Sequence, residues 1–257
     1  ESATSCQLVP FGNCAGANLS GADLSEMDLT GIDLRSANLE GANLFGAELN
    51  ESLLMNIEGN SSTNFSNAYL QYADLTGAYL QYADLTDADL RWADLTGASL
   101  VSANLVGAFL ARADLTWTVL QYADLTGASL VYADLMGADL RWANLTGALL
   151  VGADLTDADL RWADLTELSA TRPVRLTAAD LTGANLEEAD LTGAHMYSAD
   201  LTNANLYGAD LTNAFLNYAD LKFADFEDAT VTDADFTGTY WHQTIWTDGD
   251  RYDSNLA

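Results

Sequence analysis

Few residues of this chain have side chains suited to catalysis or to binding a metal. The 257 residues include two histidines, His195 and His242, and two cysteines, Cys6 and Cys14. Neither histidine lies near a cysteine or another candidate nucleophile in the sequence pattern, so no acid, base and nucleophile are brought together. Aspartates are numerous, but a flat row of them does not supply the roughly six to eight oxygens that calcium takes at one centre. We therefore expect no catalytic residues, no cofactor and no metal site.

The two cysteines lie close together in the sequence, near the first residues of the chain. A cysteine pair without a nearby histidine has too few ligands for a tetrahedral zinc site, so a Cys6–Cys14 disulfide or two free thiols remain as interpretations. A disulfide indicates an oxidising compartment. We accordingly expect a periplasmic, thylakoid-lumenal or extracellular protein, and a cytoplasmic one if the cysteines are free. The start Glu1-Ser2-Ala3 suits a chain from which a signal peptide has been removed.

The sequence repeats every five residues, and this repeat determines the structure on which any functional residue lies. From Ala17 to Phe236, a leucine, or rarely Phe, Met or Val, recurs at every fifth residue, with a small residue, usually alanine, two positions before it, as in Ala73-Asp74-Leu75 and Ala163-Asp164-Leu165. This period fits neither the 3.6 residues of a helical turn nor the alternation of a strand. A short fixed period instead predicts stacked repeats, each of which buries its apolar side chains against its neighbours.

The tandem A-[DN]-L-x-x triplets resemble the pentapeptide-repeat family over nearly the whole chain. The resemblance implies an all-β fold, a right-handed quadrilateral β-helix with four pentapeptides per coil and roughly ten coils. Leucine and alanine then point inward, and the other three positions point outward. The family is abundant in cyanobacteria, where many members are exported. No apolar run is long enough for a membrane span.

Changes in the repeat divide the chain into three parts. We predict an N-terminal cap over residues 1–16, the β-helix over 17–238 and an aromatic C-terminal cap or tail over 239–257. The register breaks near 55–64 and again near 166–178, and we expect each break to form a bulge or a short loop. Arg172 and Arg175, two of only nine basic residues, lie in the second break. Such a loop is either a tolerated insertion or carries binding contacts, so both arginines are candidates for an interaction surface.

Acidic residues dominate the outward positions, and the formal net charge is −29. On a four-sided coil, residues twenty apart stack on one face. One face would then carry an unbroken column of aspartates, Asp74, Asp94, Asp114, Asp134 and Asp154. The opposite face would alternate aspartate with asparagine at positions 84, 104, 124, 144 and 164. We expect the first column to be a candidate interaction surface.

Aromatic and threonine side chains form further columns. Tyr82, Tyr122, Trp142 and Trp162 share one corner with Ser102, and Tyr72, Trp92, Arg112 and Tyr132 share the opposite one. These rings either form a ligand-binding or assembly surface or stack on one another between coils. Threonine ladders, interrupted at Val106 and Met136, resemble those of ice-binding solenoids.

Three classes of function follow from these surfaces. The first is a non-enzymatic, rigid acidic scaffold that binds an unknown protein partner as a monomer or weak homodimer. The second rests on a further resemblance to pentapeptide-repeat proteins that mimic DNA and occupy the duplex site of gyrase; such a mimic binds no nucleic acid itself. The third is a surface that binds a ligand or ice through the aromatic or threonine columns.

Overall fold

Parallel coils of twenty residues build the fold. The computed structural model describes residues 6–166 and 173–252. Leu75 N donates to Asp94 O at 2.6 Å, and Asp94 N donates to Ala73 O at 2.9 Å. The same pattern joins each coil to the next, and each side of a coil contributes one bridging residue, as in the parallel bridge between Asp74 and Asp94. Four such bridges per coil give a four-sided parallel β-helix.

A tight turn separates one side of the coil from the next. In a representative corner, Ala78 N donates to Leu75 O at 2.9 Å, and the third residue of the turn, Gly77, has a φ of 63°. Positive φ at this position is typical of a type II turn and favours glycine. Many corners nevertheless carry larger residues, such as Tyr72 at 61° and Trp142 at 58°. These residues have a strained backbone conformation, and their side chains project outward at the corners.

The core is a stack of inward leucines and alanines. The leucines from Leu29 to Leu221 and the alanines from Ala37 to Ala224 that occupy the inward positions are at most 1% exposed. Burying a leucine contributes roughly 1.5–3 kcal/mol, so repetition of this layer stabilises the helix. The outward positions are left free to vary, because they contribute little to this core.

At the first register break the coil is lengthened by one residue. Asn38 bridges Glu58 twenty residues on, whereas Asn43 bridges Asn64 at a separation of twenty-one. Gly59 takes the place of an inward leucine, where a Cβ would lie 2.9 Å from a Leu80 methyl group. The buried Thr63 hydroxyl donates to Leu39 O at 3.0 Å and accepts from Asn60 N at 2.8 Å. The break is therefore a one-residue bulge fastened to the coil by Thr63.

The second break inserts six residues into one coil. Leu149 bridges Arg175 and Asp164 bridges Asp190, both at a separation of twenty-six instead of twenty. Residues 167–172, including Arg172, lie outside the described residues. Beyond the insertion the four faces continue in the same order.

The two ends differ from the repeating coils. The ladder begins at Asn13, which bridges Asp33, and Cys14 is joined to Cys6 by a disulfide with an S–S distance of 2.04 Å. Gly12 occupies an inward small-residue position where a Cβ would lie 2.0 Å from Gln7 O. The N-terminal segment therefore passes directly against the first coil, and the predicted disulfide pair is present.

At the other end the ladder continues past residue 238. Tyr240 bridges Asp220 and Ile245 bridges Asp225. Strand β1, Thr244–Ile245, pairs antiparallel with strand β2, Arg251–Tyr252. Trp246 packs on Phe226, Phe236 and Trp241, with ring centroids 5.5, 5.1 and 4.7 Å apart. Tyr240 is 57% exposed and belongs to the ladder instead of this aromatic cluster.

A helix of the length and apolar character needed to cross a membrane is absent from the described ranges.

Candidate interaction surface

One face of the coil carries an uninterrupted row of carboxylates, here called the aspartate ladder. Consecutive parallel bridges place the five predicted aspartates directly above one another, and the row continues across the six-residue insertion. The sequence expectation missed the last three members because the spacing changes from twenty to twenty-six after Asp154, although the A-D-L triplets themselves continue. The members are Asp74, Asp94, Asp114, Asp134, Asp154, Asp180, Asp200 and Asp220.

Each ladder carboxylate is oriented by its own turn. Asp74 Oδ1 accepts from Thr76 N at 3.0 Å and from Thr76 Oγ1 at 2.6 Å. Asp94 and Asp154 accept in the same way from the backbone N–H two residues on, each at 2.9 Å. Because these bonds lie within one pentapeptide, asparagine can replace aspartate without loss of the turn. The carboxylates are thus held in fixed, half-buried positions at intervals of about 4.8 Å.

Basic residues neutralise other faces more than they neutralise the ladder. Among the described residues, the only ladder carboxylate with an ion pair is Asp220, which lies 2.7 Å from Lys222 Nζ. Elsewhere, Arg141 contacts Asp139 at 2.7 Å and Asp159 at 3.5 Å. Burial raises the pKa of Asp139, but hydrogen bonds from Arg141 and Gln121 outweigh burial and hold this pKa below its ordinary value. The ladder therefore concentrates uncompensated negative charge.

The face opposite the ladder, here called the Asp/Asn face, is less charged. It alternates aspartate and asparagine as predicted, and bridges connect Asp84, Asn104, Asp124, Asn144 and Asp164 in order. Asn144 Oδ1 accepts from Thr146 N at 3.0 Å, the same bond that aspartate makes. Asparagine therefore preserves the turn and interrupts the repulsion between like charges.

Four predicted aromatic residues share one corner, here called the tryptophan column, which comprises Tyr82, Ser102, Tyr122, Trp142 and Trp162. The ring centroids of Tyr122 and Trp142 are 4.9 Å apart with planes at 3°, and those of Trp142 and Trp162 are 4.6 Å apart at 12°. Trp162 Nε1 donates to Glu188 at 2.7 Å. Three rings thus stack between coils, whereas Tyr82 is separated from Tyr122 by Ser102.

The opposite corner forms a second stack, here called the arginine column, which comprises Tyr72, Trp92, Arg112 and Tyr132. Tyr72 and Trp92 are stacked, with centroids 6.1 Å apart and planes at 13°. The Arg112 guanidinium carbon lies 4.7 Å from the Trp92 centroid and 5.4 Å from the Tyr132 centroid. A planar cation therefore occupies the coil between two rings.

The remaining candidate residues do not join these surfaces. Arg175 takes an aspartate position on another face, between Leu149 and His195. His195 and His242 also lie on different coils, and His195 contacts Phe215 edge-on. In the described parts of the chain, no group of three or more His, Cys, Asp or Glu residues is placed to hold a metal ion.

Comparisons with known proteins identify the repeat. The family model described as "Pentapeptide repeats" matches residues 13–50, 61–97, 98–131, 133–167, 174–208 and 204–240. No curated protein sequence matches the chain.

Several solved structures are similar to parts of the chain or to most of it. HetL, involved in regulation of heterocyst differentiation in the cyanobacterium Nostoc sp. strain PCC 7120, is 33% identical, with a TM-score of 0.66 over 90% of this chain and 94% of HetL. A thylakoid-lumen protein of Arabidopsis thaliana is 31% identical over 41% of this chain and 66% of its own, with a TM-score of 0.29. QnrB1, a plasmid-mediated fluoroquinolone resistance protein, is 17% identical over 80% of this chain and 91% of its own, with a TM-score of 0.40.

The family match and the likeness to HetL agree with the four-sided coil, and both extend over most of the chain. The fold is accordingly a right-handed quadrilateral β-helix, as the family resemblance implies. The chain belongs to the pentapeptide-repeat family.

Proposed function

We propose that this protein is a non-enzymatic, rigid acidic rod that binds a positively charged protein partner through the aspartate ladder. The observation that carries the proposal is the unbroken row from Asp74 to Asp200, in which no carboxylate has an ion pair among the described residues. Two unit charges about 4.8 Å apart repel by roughly 1 kcal/mol in water. A basic partner would relieve this repulsion, and the relief would add to its own attraction.

The scaffold role also depends on closed ends. We infer that the Cys6–Cys14 disulfide and the aromatic cluster around Trp246 cap the two ends of roughly ten coils, since an open coil would expose unpaired backbone groups. The predicted cap boundaries at residues 16 and 238 stay part of this proposal, with the backbone bridges of the coils extending past them, from Asn13 to Ile245. The disulfide supports an oxidising compartment, either the periplasm, the thylakoid lumen or the extracellular space. Titration of free thiols in the native protein would distinguish these from a reduced, cytoplasmic protein.

Two triple variants with the same net charge test the ladder. Asp114→Asn, Asp134→Asn and Asp154→Asn together interrupt it, whereas Asp164→Asn, Asp190→Asn and Asp210→Asn remove three stacked carboxylates from the opposite face. Asparagine preserves the turn in both variants. With an oligolysine peptide as probe, we expect the ladder variant to bind about fivefold more weakly than the control. Equal losses would indicate attraction by net charge alone and would contradict a role for the ladder.

Gyrase binding as a DNA mimic stays a prediction. The charge that such a mimic requires is present, but it is distributed over several faces and partly neutralised at Asp139 and Asp159. A supercoiling assay with added protein separates the two proposals. Inhibition of gyrase would favour mimicry, and unchanged supercoiling would remove it.

Ice or ligand binding through the threonine ladders also stays a prediction. Thr76, Thr86 and Thr146 donate their hydroxyl groups to the aspartate or asparagine of their own turn, each at 2.6 Å. These hydroxyls are therefore already engaged within the protein. Inhibition of ice recrystallisation by the purified protein would support ice binding.

A further inference from the structure

We propose that Tyr82, Ser102 and Tyr122 form a slot that binds the guanidinium group of an arginine side chain from the protein partner. The inference deepens the proposed function, because it names the residue type by which a basic partner is recognised. It rests on different side chains from the aspartate ladder.

The slot follows from the register of the tryptophan column. Tyr82 N donates to Val101 O at 2.9 Å, and Ser102 N donates to Gln121 O at 2.8 Å, so Tyr82, Ser102 and Tyr122 lie on three successive coils. Two coil intervals separate the tyrosines by about 9.6 Å. Ser102 carries only a hydroxymethyl group in the coil between them. Tyr82 and Tyr122 are 60% and 54% exposed, and Tyr122 already stacks on Trp142 on the side away from Ser102.

The arginine column shows within the same molecule what fits such an interval. Trp92 and Tyr132 are also separated by two coils, and the Arg112 guanidinium lies between them at 4.7 and 5.4 Å from the two ring centroids. Guanidinium is planar and weakly hydrated, so both of its faces stack favourably on aromatic rings. An ammonium group lacks this planar surface. The tryptophan column repeats the spacing of this sandwich with serine in place of arginine.

Charge complementarity selects a cation over a neutral planar ligand. Asp84 and Asp124 lie two residues after the tyrosines on the adjoining Asp/Asn face, one coil on either side of Asn104. Their positions are fixed by bonds from Thr86 N and Thr126 N, each at 3.0 Å. A guanidinium above Ser102 would therefore have one carboxylate on the preceding coil, Asp84, and one on the following coil, Asp124. Two rings and two carboxylates favour arginine over a sugar or a neutral ring.

Matched peptides test the slot without knowledge of the partner. Hexa-arginine and hexa-lysine carry the same charge, and their affinities would be measured by calorimetry at about 0.15 M salt. We expect hexa-arginine to bind about tenfold more tightly to the wild-type protein. Upfield ring-current shifts of the arginine δ-methylene protons should accompany binding.

Two variants locate the preference. Ser102→Tyr fills the slot with a residue that the neighbouring corners already accept, and it should abolish both the preference and the ring-current shift. Ser36→Tyr is the control, since Ser36 has the same corner conformation, with a φ of 55° against 56° for Ser102, but lies in a column between Gly16 and Asn56. The control should retain the preference.

The possible failures are distinguishable. Equal binding of both peptides to the wild-type protein, or a preference that survives in Ser102→Tyr, would overturn the slot and leave the proposed function intact. Failure of both peptides to bind would overturn the slot together with the proposed acidic binding surface.

Discussion

For single residues at the corners, the cost of positive φ is set against the contacts that the outward side chain makes. Tyrosine, tryptophan and aspartate adopt positive φ there, a conformation that costs an L-residue roughly 1–2 kcal/mol. Where the side chain stacks or binds, as in Trp142, the contact offsets part of this cost. Where the side chain makes no stabilising contact, nothing offsets the cost of positive φ.

Ala178 isolates this strain. It is exposed, has a φ of 54° and carries only a methyl group. We expect Ala178→Gly to stabilise the protein by about 0.5–1 kcal/mol, because glycine adopts positive φ without a steric penalty. The adjacent Ala179 is an inward, buried residue, and Ala179→Gly should destabilise by about 1 kcal/mol. Urea unfolding of both variants measures the difference. Destabilisation by Ala178→Gly would refute this account of the corners.

At the scale of the repeating element, the inward alanines limit how closely the sides of a coil approach. Ala123 is fully buried between the leucines of its own side and the next. We expect Ala123→Leu to lower the free energy of unfolding by about 1–3 kcal/mol through overpacking. Ala111→Leu is the matched control, since Ala111 occupies an outward position, and it should change stability by less than about 0.5 kcal/mol. Equal effects on thermal unfolding would contradict the assignment of inward and outward positions.

The repeat could be predicted from sequence because its inward positions obey one rule from Leu19 to Phe236. In each five-residue repeat, alanine and leucine take the inward positions. The residue between them, usually aspartate, therefore points outward. The details at the irregular points could not be predicted, since they depend on contacts between coils. Gly59 replaces an inward leucine because Leu80 and Thr63 fill that space, and Gly12 is required by the approach of Gln7 O.

The candidate interaction surface, likewise, could be predicted only in part from the sequence. The column from Asp74 to Asp154 follows from the period alone. Its continuation to Asp220 depends on the length of the insertion after Leu165, which the repeat pattern does not specify. The sequence likewise places Tyr82 and Tyr122 in one column, but which rings stack and which remain apart depends on the side chain in the intervening coil.

At the scale of the whole molecule, a formal charge of −29 makes self-repulsion a property of the folded rod. Raising the salt concentration from about 0.01 M to about 0.15 M shortens the Debye length from about 30 Å to about 8 Å. We expect the melting temperature to rise over this range by several degrees. A melting temperature that falls or stays constant would mean that repulsion along the coils contributes little to stability.

The proposed function requires the partner to bind at the aspartate ladder and not to acidic residues in general. Carbodiimide labelling of carboxylates, read residue by residue by mass spectrometry with and without oligolysine, distinguishes these two modes of binding. We predict that Asp94, Asp114, Asp134 and Asp154 are labelled more slowly when the peptide is bound, while Asp164, Asp190 and Asp210 on the opposite face change little. Equal protection of both faces would contradict the claim.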